Sequence, residues 1–133
     1  MKKDIKIKPV TGVKLAIAKE ESDSGTGWAV YILNLNLIEL STVLINSKGY
    51  GFKNGEKRTT STLRHHIKEI KAQEFVRVEP IDPALFSFTN EFWVSYFILD
   101  EIFDKKFIFT PGSFDSSQIR LIPELGKEGF LHE

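Results

Sequence analysis

Short runs in which apolar and polar residues alternate make up most of this chain. A period of two is typical of a β-strand with one buried face, because successive side chains of a strand point to opposite sides of the sheet. Proline, glycine or clustered charges separate the runs, as in an antiparallel domain. The runs predict strands at 5–7, 13–18, 28–37, 41–46, 75–79, 86–89, 92–99, 107–109 and 119–122, a polar loop at 20–27, a charged turn at 100–106 and no element in 123–133.

The same patterns indicate where some strands lie in a sheet. Lysine alternates with isoleucine in 5–7, which favours an edge strand, since charge discourages pairing with other chains. The run 92–99 is apolar on both faces, which is typical of a central strand. Asn54 and Gly55 predict a type I′ hairpin turn, because both central positions of that turn need a positive φ.

The stretch 63–71 fits two structures equally well. Leu63, Ile67 and Ile70 stand at i, i+4 and i+7, which is helical spacing, and the hydroxyl residues before them could cap a helix. The β-rich segments on both sides favour an irregular edge strand instead. A short helix near 62–71 and a strand therefore both stay open.

Eight or nine short strands in 133 residues predict one all-β domain spanning 1–133. An antiparallel β-sandwich of the immunoglobulin-like kind is the preferred architecture, because turn signals recur about every ten residues. A small β-barrel is the alternative, since it accommodates the same number of strands.

The composition narrows the class of protein further. The chain has no cysteine, which excludes disulfides, thiolate metal sites and a cysteine nucleophile. Lysines and Asp4 interrupt the first residues, so no apolar stretch of a signal peptide is visible, and no run approaches the roughly 18 apolar residues of a membrane span. We therefore expect a cytoplasmic protein without membrane contact.

The charges balance, with 18 basic and 18 acidic residues, so the sequence does not indicate a strongly basic nucleic-acid-binding protein. The balance conceals an asymmetry, because 1–66 contains 11 basic and 6 acidic residues, whereas 67–133 contains 7 and 12. The two halves of a β-sandwich interleave in space, so we expect a mixed surface rather than two charged faces.

Common catalytic and cofactor motifs are absent from the sequence. The segment 51–58 has the wrong spacing for a phosphate-binding P-loop, and 49–51 lacks the third glycine of a dinucleotide-binding loop. His65 and His66 are adjacent, so their side chains diverge on either a strand or a helix and rarely share one metal ion. We expect no cofactor and no metal, with a metal-using or hydrolytic enzyme around His65 and His66 as an alternative.

A cluster of cations, hydroxyls and glycines between 49 and 71 is the strongest candidate for a site. Arginine forks and backbone N–H groups favour phosphate or carboxylate ligands, and a tyrosine offers a stacking surface for a base. A polar edge whose charges face water would have the same composition. The candidate ligand- or partner-binding residues are Tyr50, Lys57, Arg58, Thr60, Ser61, Arg64 and His65.

Six stretches spread over the chain carry a resemblance to known proteins. They are WAVYILN at 28–34, SKGYG at 47–51, TSTLRH at 60–65, VEPI at 78–81, NEFWVS at 90–95 and DKKFIF at 104–109. Together they resemble a family of small uncharacterised bacterial proteins that are sometimes labelled as the β subunit of phenylalanyl-tRNA synthetase. The resemblance spans nearly the whole chain and implies membership of that family, but it transfers no functional residue.

The sequence thus predicts a non-enzymatic cytoplasmic binding or interaction module whose partner is a protein or an anionic ligand. A nucleic-acid-associated accessory protein, linked to RNA or tRNA, is the second hypothesis and rests on the segment 50–71. Enzymatic activity and oligomeric state stay open, because no catalytic set is visible and an aromatic-rich chain can also supply a dimer patch.

Overall fold

The computed structural model describes residues 7–8, 10–60 and 62–133, and most of these lie in β-strands. The strands are β1 (Ile7–Lys8), β2 (Val13–Ser22), β3 (Gly25–Asn34), β4 (Leu40–Lys53), β5 (Glu56–Thr59), β6 (Leu63–Ile70), β7 (Phe75–Pro80), β8 (Thr89–Ile98), β9 (Glu101–Phe109), β10 (Arg120–Ile122) and β11 (Lys127–His132). Short 3-10 turns cover Pro83–Ser87, Pro111–Phe114 and Ser116–Gln118. Within these described ranges, no helix has the length and apolar character needed to cross a membrane.

The strands form two sheets that do not close into a barrel. The first sheet has the order β1–β9–β8–β4–β5. Strands β6 and β5 share one edge of β4, where β6 pairs with its first part and β5 with its last residues. The second sheet has the order β10–β11–β2–β3–β7. Neighbouring strands are antiparallel apart from the short parallel pair of β1 and β9. The predicted all-β sandwich is therefore confirmed, and the barrel alternative is wrong.

The stretch that the sequence left open, 63–71, is strand β6, so the helical alternative is wrong. Ile67 pairs with Val43 and His65 with Ile45, which places both β6 side chains on the side that faces the core. Residues four apart lie on one face of a strand as well as of a helix, so the spacing of Leu63 and Ile67 suits both structures. The pairing of this segment with β4 makes it a strand.

Two predicted loops are strands in the structure. The polar stretch 20–27 is largely the β2–β3 hairpin, in which Glu20 pairs with Gly27 and Ser22 with Gly25. The charged stretch 100–106 lies almost wholly in β9, because the chain turns at Leu99, whose φ is +54°. Exposed hairpin strands can be polar on both faces, so composition alone misplaces their ends.

Other boundaries differ from those that the alternation predicts. In the segment 86–89, Phe86 and Ser87 lie in a 3-10 turn and only Thr89 lies in a strand, and the strand predicted to end at residue 37 ends at Asn34. The tail, for which no element was predicted, contains β11, which lies between β10 and β2. Gly129 permits this fit, since a Cβ there would come within 2.3 Å of the Ile17 carbonyl oxygen. Ile5 and Lys6 of the predicted edge strand lie outside the described residues, whereas β1 is indeed at the edge.

The hydrophobic core lies between the sheets, and a second, smaller cluster covers the far side of the second sheet. Buried side chains of the main cluster include Leu15, Ile17, Val30, Ile32, Val43, Ile45, Phe92, Val94, Tyr96 and Phe107. The smaller cluster joins alanines of β2 and β3 with Tyr31, Leu33 and Ile122. The β2–β3 pair is thus apolar on both faces, which makes it the centre of the second sheet.

Aromatic side chains pack against one another at one side of the main core. Trp28 lies 5.1 Å from Phe86 and 5.4 Å from Phe130, measured between ring centroids. Phe86 stacks on Phe114 at 4.3 Å. Two of these rings, Phe86 and Phe114, come from 3-10 turns rather than from strands, so the turns add apolar area that the short strands do not supply.

Asn34 connects the end of β3 to two neighbouring chain segments. Its side chain is fully buried, and its Nδ2 donates to the carbonyl oxygens of Ile38, Ile70 and Lys71 at 3.0, 3.3 and 3.0 Å. Its Oδ1 accepts a hydrogen bond from the Asn36 backbone N–H. The Asn34 amide thus provides hydrogen-bond donors to carbonyl oxygens at the end of β6, where the pairing of this strand with β4 ends.

Tyr96 is the buried side chain whose polar atom lacks a partner. Its ring stacks on Phe103 at 5.3 Å inside the main core, and its hydroxyl contacts no donor or acceptor among the described residues. Burial raises the pKa of Tyr96 to about 12 from the usual 10. The unfolded chain therefore ionises this hydroxyl first as the pH rises.

We predict that Tyr96→Phe increases the free energy of unfolding at neutral pH by about 1 kcal/mol, because an unsatisfied buried hydroxyl is removed. The folded pKa exceeds the unfolded one, so the Tyr96 contribution to stability is complete below pH 10.0 and is lost as the pH rises to about 12. The variant should lose less stability over this interval than the parent chain. Denaturant unfolding at a series of pH values measures both effects, and a clear destabilisation at neutral pH would contradict them.

Candidate functional site

Strand β4 sorts the candidate residues onto two faces. It pairs with β8 along one edge and with β6 and β5 along the other. Val43, Ile45 and Ser47 are buried, whereas Leu44 and Lys48 are exposed and Asn46 is half-buried. Directly paired residues share a face, so the register extends this alternation to the neighbouring strands.

The side of the first sheet that points away from the core is called the outer face here. One of its rows crosses four strands and consists of Arg64 on β6, Asn46 on β4, Trp93 on β8 and Lys106 on β9. The row on one side of it consists of His66, Leu44, Ser95 and Asp104. Three rows follow in order on its other side. The first contains Lys48, Glu91 and Ile108, the second Thr59, Tyr50 and Thr89, and the third Lys57 and Phe52. Neighbouring strands lie about 4.8 Å apart, so each row brings its side chains close together.

Trp93 lies in the middle of the outer face with 43% of its surface exposed. The Lys106 Nζ lies 4.7 Å from the centroid of its ring, and its Nε1 donates a hydrogen bond to the Asp104 carboxylate. These contacts hold the indole in one orientation. A flat ligand that stacks on it therefore costs little side-chain entropy.

Two more aromatic side chains extend the outer face beyond this row. Tyr50 lies four residues along β4 from Asn46, which is about 14 Å on a strand, and the Lys48 Nζ lies 6.0 Å from its ring centroid. Phe52 follows with 73% of its surface exposed, beside Lys57. Exposure this large has no role in packing the core, so it suits contact with another molecule.

The outer face is basic although the chain is neutral. Its rows contain four cations and two acids, namely Lys48, Lys57, Arg64 and Lys106 against Glu91 and Asp104. Both acids have partners, because Glu91 lies 3.7 Å from the Lys48 Nζ and Asp104 accepts from the indole of Trp93. Lys57, Arg64 and Lys106 form no ion pair with another described residue, so their charges remain available to an anion.

A cleft of about 250 Å³ between the two sheets is the second candidate site. Glu79 of β7 lines it and is only 8% exposed. The Glu79 Oε1 accepts a hydrogen bond from the Ser47 Oγ at 2.8 Å and lies 3.2 Å from the His65 Nε2. These contacts join β7 of the second sheet to β4 and β6 of the first, and both of them use the same carboxylate oxygen.

Asn90 and Thr60 supply further polar lining to the cleft. Asn90 is 3% exposed, and its Nδ2 donates to two backbone carbonyls at 2.8 and 3.1 Å. Thr60 accepts a hydrogen bond from the Gly49 N–H at its Oγ1. A Cβ on Gly49 would lie 3.2 Å from Thr60 and 3.3 Å from the Asn90 Oδ1, so the glycine keeps this part of the cleft open.

The structure divides the residues that the sequence analysis grouped together. Tyr50, Lys57 and Arg64 lie on the outer face. Thr60 lines the cleft, and His65 contacts Glu79 there. Alternation along the strands causes the division, since neighbours in sequence point to opposite sides.

Two of the predicted residues belong to neither group. Arg58 pairs with Gly51, so its side chain lies on the opposite side of the sheet from Tyr50, and its Nη2 lies 3.2 Å from a Glu56 carboxylate oxygen. Ser61 lies outside the described residues. The binding role of all seven residues stays a prediction, but the described ones do not form one cluster.

Several residues of both sites were missed by the sequence analysis. Trp93, Lys106 and the cleft residue Asn90 belong to strands that are far from the predicted cluster in sequence, and Glu79 belongs to β7, the strand directly after it. Trp93 lies in a run that is apolar on both faces, which indicated burial rather than exposure. The register of β4 and β8, together with the exposure of Leu44 and Trp93, shows that this side of the run is not covered by another layer.

The contacts of Glu79 bear on the hydrolase hypothesis. In a serine hydrolase the imidazole stands between the hydroxyl and the carboxylate. Here the carboxylate stands between Ser47 and His65. No group of three metal-ligating side chains gathers in the part of the chain that the structure describes, and His66 pairs with exposed Leu44 on the outer face, away from His65. These observations give the hydrolytic and metal-using hypothesis no support.

A charged group on the second sheet is internally satisfied. Arg77 donates two hydrogen bonds to the Glu20 carboxylate at 2.9 and 3.0 Å, and the Tyr31 hydroxyl donates to the same carboxylate. The Arg77 hydrogen bond lowers the pKa of Glu20, while burial and the bond to Glu20 raise the pKa of Tyr31 to about 12. Because each member already has its partner, we assign this group to stability rather than to binding.

Comparison of the chain with protein-family models, with curated proteins and with solved structures gives no match. The resemblance to small bacterial proteins noted above therefore stays a prediction.

We predict that Glu79→Ala lowers the free energy of unfolding by about 2–3 kcal/mol, because it leaves the Ser47 hydroxyl and the His65 ring without their acceptor. Asp82→Ala is the matched control, since it removes the same charge from an exposed carboxylate that only bonds the Ala84 N–H, at a cost of about 1 kcal/mol or less. Denaturant unfolding of both variants measures the difference. Equal effects would contradict the role assigned to the Glu79 contacts.

Proposed function

We propose that this protein is a non-enzymatic binding module that takes single-stranded nucleic acid on the outer face of its first sheet. The observation that carries the proposal is the row formed by Arg64, Asn46, Trp93 and Lys106, in which a partly exposed indole lies between two cations. Single strands present flat bases and a charged backbone at once, and this row offers a partner to each.

The distribution of charge supports the proposal. Lys57, Arg64 and Lys106 are free of ion pairs with described residues, and they lie along different strands of one face. A polyanion that crosses the strands can contact all three and release its counterions, which favours binding at low salt. The neutral chain as a whole limits non-specific attraction, so the affinity would depend on this face alone.

The exposed aromatic side chains favour a single strand over a duplex or an acidic polypeptide. Trp93, Tyr50 and Phe52 lie on neighbouring strands of the same face. Stacking of a base on such a ring contributes about 1–3 kcal/mol and needs bases that are not already paired. An acidic polypeptide would satisfy the cations but would leave the rings without a stacking partner.

The test is a binding measurement with a labelled oligouridylate of about twelve nucleotides, followed by fluorescence anisotropy at several salt concentrations. We predict that Trp93→Ala weakens binding about tenfold or more through lost stacking. Arg64→Ala should weaken binding and should reduce the slope of log K against log salt by about 0.7, the value for one phosphate contact of a single strand.

Arg58→Ala is the matched control for Arg64→Ala, because it removes the same side chain from the opposite side of the sheet and should change affinity by less than about twofold. Oligothymidylate of the same length separates RNA from DNA, and a duplex and polyglutamate test for charge alone. The proposal fails if the single strand does not bind at low salt, if polyglutamate binds as well, or if both arginine variants behave alike.

The proposal agrees with the hypothesis of a nucleic-acid-associated accessory protein. It also gives the hypothesis of a non-enzymatic binding module a specific ligand. The family resemblance, the cytoplasmic location and the immunoglobulin-like kind of sandwich stay predictions beside it.

A further inference from the structure

We propose that the cleft between the sheets binds the ammonium group of a small primary alkylamine. This site is separate from the outer face, because most of its lining comes from the inward sides of β4, β7 and β8 and from the segment after β7, with Thr60 and Leu63 beside them. The inference therefore does not depend on nucleic-acid binding.

Two acceptor atoms on largely buried residues of the cleft lack donors. The Glu79 Oε1 is occupied by Ser47 and His65, but the other oxygen of the same carboxylate accepts no hydrogen bond from a described residue. The Asn90 Oδ1 likewise accepts none, whereas its Nδ2 is fully used by two backbone carbonyls. The orientation of the Asn90 amide is thereby determined, because only Nδ2 can donate to carbonyls.

The charged groups around the cleft leave room for a cation. Lys48 is part of the lining, but its Nζ lies 3.7 Å from Glu91 on the outer face. His65 contacts only the oxygen of Glu79 that Ser47 also contacts. Asp82 adds a second carboxylate to the lining and uses one oxygen for the Ala84 N–H. Unpaired acceptors thus outnumber cations that face the cleft.

The arrangement of acceptors favours an ammonium group over a guanidinium group. A guanidinium binds a carboxylate best through two parallel hydrogen bonds, which need both oxygens. The Glu79 Oε1 already contacts Ser47 and His65, so the acceptors that remain are single oxygen atoms on different strands. An ammonium group has three donors that point in different directions, and it can satisfy such separate points.

The rest of the lining indicates the remainder of the ligand. Leu63, Ile81, Leu85 and Phe92 supply apolar wall to the cleft. The volume of about 250 Å³ lies below the roughly 300–1,000 Å³ of sites for larger ligands. A chain of a few carbons attached to the ammonium group fits both the size and the apolar character.

The test is a titration of the full chain with n-butylammonium, followed by two-dimensional NMR of backbone and side-chain amides. We expect shifts at the Asn90 side-chain amide and at Gly49, with a dissociation constant on the order of 1 mM, as for a very small ligand. n-Butanol has the same length without the charge and should bind about tenfold more weakly. Equal binding of n-butanol, or no shift at Asn90, would overturn the proposal.

Glu79→Gln should weaken n-butylammonium about tenfold, because it replaces the charged acceptor by an amide of the same shape. Glu69→Gln is the control and should change affinity by less than about twofold, since it makes the same replacement at an exposed carboxylate of β6 outside the cleft. Unchanged binding in Glu79→Gln would contradict the proposal. If that variant does not fold, Gly49→Ala tests the same site, because its added methyl group narrows the cleft between Thr60 and Asn90 and should also weaken binding about tenfold.

Discussion

Strand β4 has partners along both edges, β8 on one and β6 and β5 on the other, and this double pairing controls where the side chains of the first sheet point. A slip of one residue would exchange the two faces of the strand. Val43 and Ile45 are fully buried in the main core, so such a slip would expose both and bury Leu44 and Asn46 in their place. The hydrophobic core therefore holds the register, and the register in turn positions both candidate sites.

The two sites follow from a change in the character of β4 along its length. Its inward side chains are apolar up to Ile45 and then become Ser47, Gly49 and Gly51. Where the apolar residues end, the core no longer fills the space between the sheets, and Glu79 of β7 reaches Ser47 and His65 there. A buried carboxylate is costly unless it is hydrogen-bonded, so these contacts offset the cost of burying Glu79 and connect the two sheets at this point. The outward side chains of the same stretch meanwhile form the basic and aromatic rows of the outer face.

Alternation along the chain was sufficient to predict the fold class, the central position of β8 and the hairpin turn at Asn54 and Gly55, both of which have positive φ. It failed where a local pattern suits two structures. The Leu63 and Ile67 spacing is compatible with helix and strand, and β11 has a pattern that only its position between β10 and β2 explains. Strand ends in polar hairpins such as that of β2 and β3 were also misplaced, because both faces there meet water.

The candidate site was predictable only in part, for a related reason. Sequence proximity brought Arg58, Arg64 and His65 together, but the strands direct these three side chains to different surroundings. Conversely, Trp93 and Lys106 join Arg64 through pairings between strands that are distant in sequence. Such rows depend on register, and register depends on which strands become neighbours, which one sequence does not reveal.

The sorting of side chains by β4 can be measured directly, because the chain has no cysteine of its own. Single cysteines placed at 43 to 48, one at a time, would report accessibility through their rate of reaction with a thiol reagent. We predict rapid reaction at the positions of Leu44, Asn46 and Lys48, slow reaction at those of Val43, Ile45 and Ser47, and protection of the rapid positions alone by single-stranded oligonucleotide. Uniform reactivity, an inverted alternation, or protection that does not follow the alternation would contradict this prediction.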